Sequence, residues 1–504
     1  MHNFFNAFIC LLLGIILSFS QSPYDYWFLI FPVFSGLYFI YTKFDSKKWV
    51  FISSFLFGIG YFVAGLNWIG NALLVEGNEY KWVWPLAVIA LPTALSLFTA
   101  LSVTVAHIVS AKKTAIGFVV FCSCLALSEF IRGYVFTGFP WNLYGYTWLG
   151  LFPVAQISAL VGPYGLTYFT IIWGAVFGYL FLNKRKALAV VIPVLLSFFL
   201  AYGFGQVRLL NKNNLDVLDT KVGVVQPNIE QATKWKPEEL AKNFQTHVDL
   251  SKGLDGRQKI IYVWPETAIP PSILNSIAAK EQFQTFLKSD NSILISGALS
   301  ALPNTQTRRI EYFNAVFSFD GKNAPVKLYD KSHLVPFGEY IPFQQYIPLS
   351  PVVSFTGFQR GDGPETIDLS DFPSFSPQVC YEIIFPNRAI NKFSERPEFI
   401  LVVTNDAWYG DSAGPRQHFA SARFRAIEQG ISVVRSANTG ISGVIDPYGR
   451  IVNMLDINQR GIIDVYIPQA IENKTLYSFL GDIIFFFSAI FGVLFGFFYR
   501  KIDF

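Results

Sequence analysis

The chain has 504 residues, of which 52% are hydrophobic, 17% aromatic and only 15% charged, and its mean hydropathy is +0.38. That composition excludes an ordinary soluble protein of this length and calls for membrane-spanning segments. The net charge of +4 is small and largely explained by short basic loops, which gives no indication of a nucleic-acid partner.

A span needs roughly 20 predominantly apolar residues. In chain order, such runs fall near 4–20, 26–42, 49–69, 84–109, 114–131, 163–182 and 187–205, with one more near 479–499. The first lacks the basic flank of a signal peptide and is followed at once by a second apolar run, so it is counted as a span. The basic segments "KFDSKK" (43–48), "AKK" (111–113), "NKRK" (183–186) and "YRKIDF" (499–504) each follow an even-numbered span. Lysine and arginine are retained in the cytoplasm. Eight spans with both termini inside are therefore expected, with the polar block between spans seven and eight outside. This divides the chain into a membrane domain 1–205, an extracytoplasmic domain 206–476 and a terminal helix with its tail, 477–504.

Residues 133–162 are apolar but rich in Gly, Pro, Trp and Tyr, which suits re-entrant or surface-lying backbone better than a clean span. The alternative, an additional span near 143–161, would reverse the later topology and break the charge pattern.

From 221 the pattern changes. Strand-like runs at 221–228, 259–266, 292–298, 314–319, 374–382, 399–406, 432–438 and 442–447 alternate with helix-compatible stretches at 237–252, 278–289 and 414–430. This is the pattern of one layered α/β domain. Several strands end in polar residues: Glu266, then Cys380 and Glu382, then Asn405 and Asp406. In layered α/β folds, functional groups gather outside the carboxyl ends of strands.

The five histidines, His2, His107, His247, His333 and His418, show neither HxH nor HExxH spacing, so zinc hydrolysis has no support. No GxSxG elbow, P-loop or GxGxxG occurs. Cys380 is the only cysteine of the polar block, the others being Cys10, Cys122 and Cys124 in apolar runs. A lone exported thiol is either a buried hydrophobe or a nucleophile. As a nucleophile it needs a base, since a free thiol is only a few per cent ionised at neutral pH. Glu266, after an apolar strand, suits that role, and Lys331 could steady an oxyanion. Taken singly, Glu266 could equally be a cap and Lys331 a surface charge.

Four motifs together, "WPET" (264–267), "YDKSHLVPFGEYIP" (329–342), "CYEIIFP" (380–386) and "TNDAWYG" (404–410), resemble the nitrilase-type carbon–nitrogen hydrolase superfamily. Further stretches, "SPYDYW" (22–27), "GFPWNLYGY" (138–146), "VQPNIEQATKW" (225–235) and "GPRQHF" (414–419), resemble the apolipoprotein N-acyltransferase family within it. The resemblance covers nearly the whole chain. It implies an αββα sandwich beside a multi-pass helical bundle of about eight spans. It also implies a catalytic triad of Glu266 as base, Lys331 as oxyanion stabiliser and Cys380 as nucleophile. Glu339, Tyr381 and Glu382 would support that triad, while Trp235, Trp408 and Asn405 would lie on loops toward the substrate.

The implied reaction moves a fatty acyl chain from a phospholipid, through a Cys380 thioester, to the α-amino group of the diacylglyceryl-cysteine at a lipoprotein's N-terminus. No cofactor or metal is implied, and the setting is the bacterial inner membrane with the catalytic domain on its periplasmic side. The alternative is a membrane-tethered nitrilase or amidase acting on small amides. The apolar, Pro-rich stretch 336–358 reads as an interfacial lid or acyl-chain wall. One departure from the family pattern is Ile431, where an arginine is common; Arg425 or Arg435 could replace it.

Overall fold

The computed structural model describes residues 2–76, 81–210, 215–254, 258–274, 276–288, 290–304, 308–320, 322–342, 357–369 and 371–502. The chain divides into two compact units. One comprises Met1–Gly70, Trp82–Asn213 and Lys474–Phe504, the other Asn71–Lys81 and Asn214–Asn473.

The first unit is helical. Helices His2–Ser18, Ile30–Lys43, Lys47–Leu66, Trp84–Val109, Ala115–Arg132, Ser158–Asn183, Leu188–Leu209 and Ile483–Ile502 occupy the expected apolar places. Among the described residues, four apolar helical stretches reach spanning length: Lys47–Leu74, Lys81–Val109, Ala115–Arg132 and Ser158–Leu209. The last contains two helices separated at Lys184, whose φ is 49°. Close packing between His2–Ser18 and Lys47–Leu66 depends on glycine. A Cβ at Gly14 would lie 2.0 Å from the Phe57 carbonyl oxygen, and one at Gly60 2.2 Å from that of Leu11. Small residues at such crossings let helix backbones touch where water supplies no driving force.

The segment after Arg132 is irregular, as its composition suggests: Phe136, Thr137 and Asn142 have positive φ, and a 3-10 helix runs Tyr144–Leu151. Its start is exposed at Tyr134, Val135 and Phe136, but its middle is not. Trp141, Tyr144, Tyr146 and Trp148 are buried within the helical unit. Arg132 explains how irregular backbone survives there. Its Nη1 donates to the carbonyls of Phe139 (2.6 Å) and Trp141 (3.0 Å), and its Nη2 to that of Asn142 (3.3 Å). Glu129 holds the same guanidinium in a fork, Nε to Oε1 at 2.8 Å and Nη2 to Oε2 at 2.6 Å. Backbone carbonyls at membrane depth need such internal donors.

The second unit is a sandwich of two sheets. Strands β1 (Val217–Gln226), β2 (Ile260–Ile269), β3 (Ser292–Asn304), β4 (Arg309–Phe319), β5 (Val326–Asp330) and β11 (Gly461–Pro468) form one sheet in the order β11-β1-β2-β3-β4-β5. The other, β10-β9-β8-β7-β6, comprises β6 (Phe375–Val379), β7 (Phe399–Thr404), β8 (Ser432–Ala437), β9 (Ser442–Ile445) and β10 (Ile451–Leu455). Strands β1-β2-β3 and β6-β7-β8 run parallel, while the other neighbouring pairs are antiparallel.

Side-chain alternation builds the layers. Val222, Val224, Ile261, Val263, Ile293 and Ile295 meet Phe375, Phe399, Leu401, Val403 and Val434 between the sheets. Tyr262, Trp264 and Leu294 point the other way, against Phe244, Val248, Phe283 and Phe286 of an outer helical layer. Burial on both faces accounts for the continuous apolar runs of these strands. The helix Ala413–Gln429 packs on the second sheet and is buried along most of its length. The layer order is thus α-β-β-α.

Sequence reading placed a strand through 374–382, but β6 stops at Val379 and Cys380–Ile384 is a 3-10 turn. Strands β5, β10 and β11 were not foreseen. Of these, β10 has almost no buried face, so "IVNML" carries no usable alternation.

Candidate active site

Glu266, Lys331 and Cys380 come from three separate segments at strand ends. Glu266 lies in the final third of β2, and Thr267 after it has a φ of 50°. Strand β3 passes so close beneath it that a Cβ at Gly297 would lie 2.6 Å from the Glu266 Cα. Glycine there is what lets the two strands meet at the base. Lys331 directly follows β5, its N–H donating to the Asn314 carbonyl of β4 at 2.8 Å. Cys380 directly follows β6 and has a φ of 53°. That conformation costs a non-glycine residue about 1–3 kcal/mol, and such strain gathers at functional positions.

The charged groups converge on Lys331. Its Nζ lies 2.8 Å from Glu339 Oε1 and 3.7 Å from Glu266 Oε1, with all three side chains buried. Glu339 is fixed in turn by the Val335 N–H on Oε2 at 2.8 Å. Asn314 joins the two carboxylates, its Nδ2 donating to Glu266 Oε1 at 2.7 Å and to Glu339 Oε1 at 3.3 Å. Among the described residues no hydrogen bond reaches Glu266 Oε2.

Burial, with the Glu339 charge, raises the Glu266 carboxyl above its ordinary range despite the opposing pull of Lys331 and Asn314. That is the direction a general base working near neutral pH requires. Burial alone would lower Lys331, but Glu339 and Glu266 outweigh it and keep the ammonium charged. The Cys380 thiol is pushed up to about 12 by burial and the Glu266 charge, with Lys331 pulling it back. At rest the sulfur is therefore a thiol. A nucleophilic role for it would require a base to take the proton as the sulfur attacks.

Glu382 fastens the Cys380 turn to the Lys331 loop. Its Oε2 accepts from the Val379 N–H at 2.7 Å. Its Oε1 accepts from the Tyr329 hydroxyl (2.8 Å), the Ser332 N–H (2.8 Å) and hydroxyl (2.7 Å), and the His333 N–H (3.0 Å). This one carboxylate sets the spacing between Lys331 and Cys380. Tyr381 is buried, its ring 5.7 Å from that of His333 and 5.1 Å from that of Phe385.

The three residues expected on substrate loops lie in turns or just after a strand. Asn405 is buried and fully engaged: Nδ2 donates to Gln231 Oε1 at 2.7 Å, and Oδ1 accepts from Asn438 Nδ2 at 3.1 Å and from the Ala407 N–H at 3.4 Å. Those contacts make it a latch between loops. Trp235 and Trp408 are half-buried, the first lying 5.5 Å from the ammonium of Lys234 and the second on the 3-10 turn Asp406–Tyr409. Of the stretch 336–358, residues 343–356 lie outside the described residues, and the lid expectation lies there with them.

Lys234 and Asn314 were not foreseen. Lys234 is buried, its Nζ donating to the Glu266 carbonyl at 3.0 Å and the Thr267 hydroxyl at 2.7 Å. Burial lowers it to about 8. It pins the left-handed backbone at Thr267, directly after Glu266. Its signal was available in "ATKWKP", where a lysine stands beside a tryptophan before a helix, but a surface cation-π pair is the commoner meaning of that pattern. Ile431 is wholly buried and apolar. Arg425 pairs with Glu428 at 3.0 Å and donates to the Ile384 carbonyl at 3.1 Å, at the end of the nucleophile turn. Among the described residues no cluster of three or more His, Cys, Asp or Glu side chains could hold a metal ion.

Comparison with known proteins follows the same division of the chain. Residues 221–473 match the carbon-nitrogen hydrolase family, and residues 13–176 match the apolipoprotein N-acyltransferase N-terminal domain. The apolipoprotein N-acyltransferase of Rickettsia prowazekii is 34% identical over 493 residues, covering 96% of this chain and 97% of its own. That of Rhodopseudomonas palustris is 34% identical over 498 residues, covering 95% and 92%. Among solved structures, a Nesterenkonia amidase of the nitrilase superfamily is 16% identical at a TM-score of 0.36, covering 50% of this chain and 92% of its own.

Proposed function

The chain belongs to the apolipoprotein N-acyltransferase family and is an acyltransferase of the nitrilase superfamily, and from that premise we propose that Cys380 carries the acyl group as a thioester. The observation that carries the proposal is the convergence of Glu266, Lys331 and Glu339 in one buried cluster whose charges act on the Cys380 thiol.

The donor is a membrane phospholipid. Glu266 takes the thiol proton as sulfur attacks the ester carbonyl, and Lys331 with backbone N–H groups stabilises the tetrahedral oxyanion. The ester C–O bond breaks, the proton on Glu266 passes to the departing oxygen, and a lysophospholipid leaves. The α-amino group of a diacylglyceryl-cysteine at the apolipoprotein's N-terminus then attacks the thioester. An α-amine with a pKa of about 7.7–8.0 is partly neutral at pH 7, unlike a lysine amine near 10.4. Glu266 receives the amine's proton and returns one to the departing sulfur, which restores the thiol. Glu339 and Glu382 act through others, the first by holding Lys331 and the second by spacing it from Cys380. Tyr381, Trp235, Trp408 and Asn405 are proposed to shape the surrounding loops.

Eight helices spanning the membrane, with both termini in the cytoplasm, complete the reading. The three-part division 1–205, 206–476 and 477–504 then puts the catalytic block on the periplasmic side of a bacterial inner membrane. All four basic segments support this orientation.

The test is intact-mass measurement of the purified chain incubated with phospholipid and no acceptor. The parent should gain one acyl chain that hydroxylamine removes, and Cys380→Ala should gain none. Adding a diacylated lipopeptide should discharge the adduct onto its α-amine. An adduct that water discharges equally fast with or without the peptide would favour a hydrolase.

A further inference from the structure

Behind the nucleophile turn lies a second buried polar cluster that the triad does not use. His418 stands on the helix Ala413–Gln429, Asp406 follows β7, and Arg435 is in β8. All three are buried to 1% exposure or less. Asp406 Oδ1 lies 2.8 Å from His418 Nδ1, and Asp406 Oδ2 lies 2.7 Å from Arg435 Nη2. That guanidinium is also 3.1 Å from His418 Nδ1, and its Nε donates to the Ile441 carbonyl at 3.1 Å. The Thr404 hydroxyl donates to Asp406 Oδ1 at 3.0 Å, and the Asp406 N–H to the Thr439 carbonyl at 3.0 Å. Glycine at 440, with a φ of 140°, leaves the carboxylate its space; a Cβ there would lie 2.6 Å from Oδ2.

One contact leaves this cluster toward the chemistry: His418 Nε2 lies 3.1 Å from the carbonyl oxygen of Cys380. A carbonyl can only accept, so Nε2 carries a proton and donates it. The peptide so held is the one whose φ of 53° turns the chain from β6 into the 3-10 turn. Left-handed backbone at a non-glycine residue persists only where its surroundings over-determine it. Val379 N–H on Glu382 secures the near side of that residue, and His418 secures the far side.

We propose that His418 is a positioning residue for acyl transfer: its Nε2–H grips the Cys380 carbonyl and keeps the sulfur aimed between Glu266 and Lys331, while Asp406 and Arg435 hold the imidazole in place. This rests on the reading of Cys380 as the acyl carrier. Three fully buried ionisable groups are a costly way merely to join a helix to a sheet. Misplacing a reacting atom by about 1 Å is enough to cost roughly 100-fold in rate.

Two polar replacements separate a grip on the carbonyl from a purely structural role. In His418→Gln the side-chain amide reaches the place of Nε2 and can still donate to the carbonyl. In His418→Asn the amide reaches only the place of Nδ1, beside Asp406. The full chain in phospholipid–detergent micelles is followed by intact mass for single-turnover acylation. Alkylation by iodoacetamide is followed on the same samples at the Cys380 peptide. His418→Asn should acylate about 100-fold slower than the parent, and His418→Gln should stay within about 10-fold, both with an unchanged half-saturating donor concentration. Alkylation should follow the same order. Equal slowing in both variants, parental rates in both, or loss of the folded state in both would each overturn the proposal. A parent that formed no acyl adduct would count against the thioester reading alone, and the alkylation rates would then decide for His418.

Discussion

The protein buries two carboxylate–cation pairs that look alike on paper and differ in what they leave undone. In the helical unit, Glu129 and Arg132 meet through two short hydrogen bonds, and the remaining guanidinium N–H groups are spent on three backbone carbonyls. In the sandwich, Lys331 makes its close contact with Glu339, while Glu266 stands 3.7 Å away with one side-chain donor, Asn314. The first pair is saturated and builds structure. The second leaves one carboxylate short of full pairing, and burial, helped by the Glu339 charge, raises its proton affinity against the pull of Lys331. A carboxylate so placed is suited to exchange a proton, as the proposed mechanism requires.

Substitutions can break this contrast. Glu266→Gln should reduce thioester formation about 1,000-fold or more, since general-base contributions run to 10²–10⁴, with the Cys380 adduct measured by single-turnover mass spectrometry. Arg132→Met should act on stability instead. Leaving Glu129 buried and unpaired costs about 3–5 kcal/mol, read as a lowered thermal midpoint, while the acylation rate per folded molecule stays parental. A large loss of rate in the surviving folded Arg132→Met protein would dissolve the distinction between the two pairs. Lys331→Met should cost about 100-fold in acylation and leave Glu266 and Glu339 facing each other without a cation. Its acylation rate should therefore rise to its plateau at higher pH than the parent's, because both changes lift Glu266 further.

Lys234→Met should cost about 10-fold and Lys234→Arg less, because Lys234 holds only the peptide after the base. Lys234 itself discharges near pH 8. Its N–H groups remain donors when neutral, so the parent should lose less above pH 8 than the Met variant loses throughout. The smallest effect concerns the parent's stability. Glu266 has a raised folded-state pKa, so unfolding releases its proton first as pH climbs, and the ionised carboxylate disfavours the folded state above that range. Glu266→Gln should consequently melt about 2 °C or more above the parent at pH 8, with the gap closing below pH 4.

Glu266 and Cys380 were legible as polar residues near the ends of the apolar strands β2 and β6, while Lys331, after the unforeseen β5, stood out through its motif. Glu339 and Glu382 were legible through the same motifs. The other groups around them were not. Asn314 lies inside "NAVFSF", where it reads as the start of a strand, and its bridging of two carboxylates depends on Glu339, 25 residues later in the chain. His418, Asp406 and Arg435 each lie in plausible helix or strand text, and only the layering of the second sheet brings them together. Asn405 shows the same limit: a polar strand end signals either a site or a loop latch, and its partners Gln231 and Asn438 are far away in sequence. Span counting met a different limit. The helix Ile30–Lys43 has 14 residues, about 21 Å at 1.5 Å per residue, short of the roughly 30 Å of a bilayer core. Apolar composition counts residues, whereas crossing depends on length and tilt.

The pairing of β1 with β11 bears on how the molecule is made. Val217 stands opposite Pro468, and Gln226 opposite Gly461, so the first strand of the sandwich is completed by its last. A ribosome adding about 5–20 residues per second needs ten seconds or more to travel from one to the other. Throughout that interval the edge of β1 stays open. Because β8 and β9, which line the core, also come late, Cys380, Glu266 and Lys331 all emerge before the sandwich around them is finished. The sandwich is therefore complete only once its final strand has been made and paired with β1. A chain that ends before residue 461 leaves that edge without its partner, and an unpaired strand edge is a template for association with other chains.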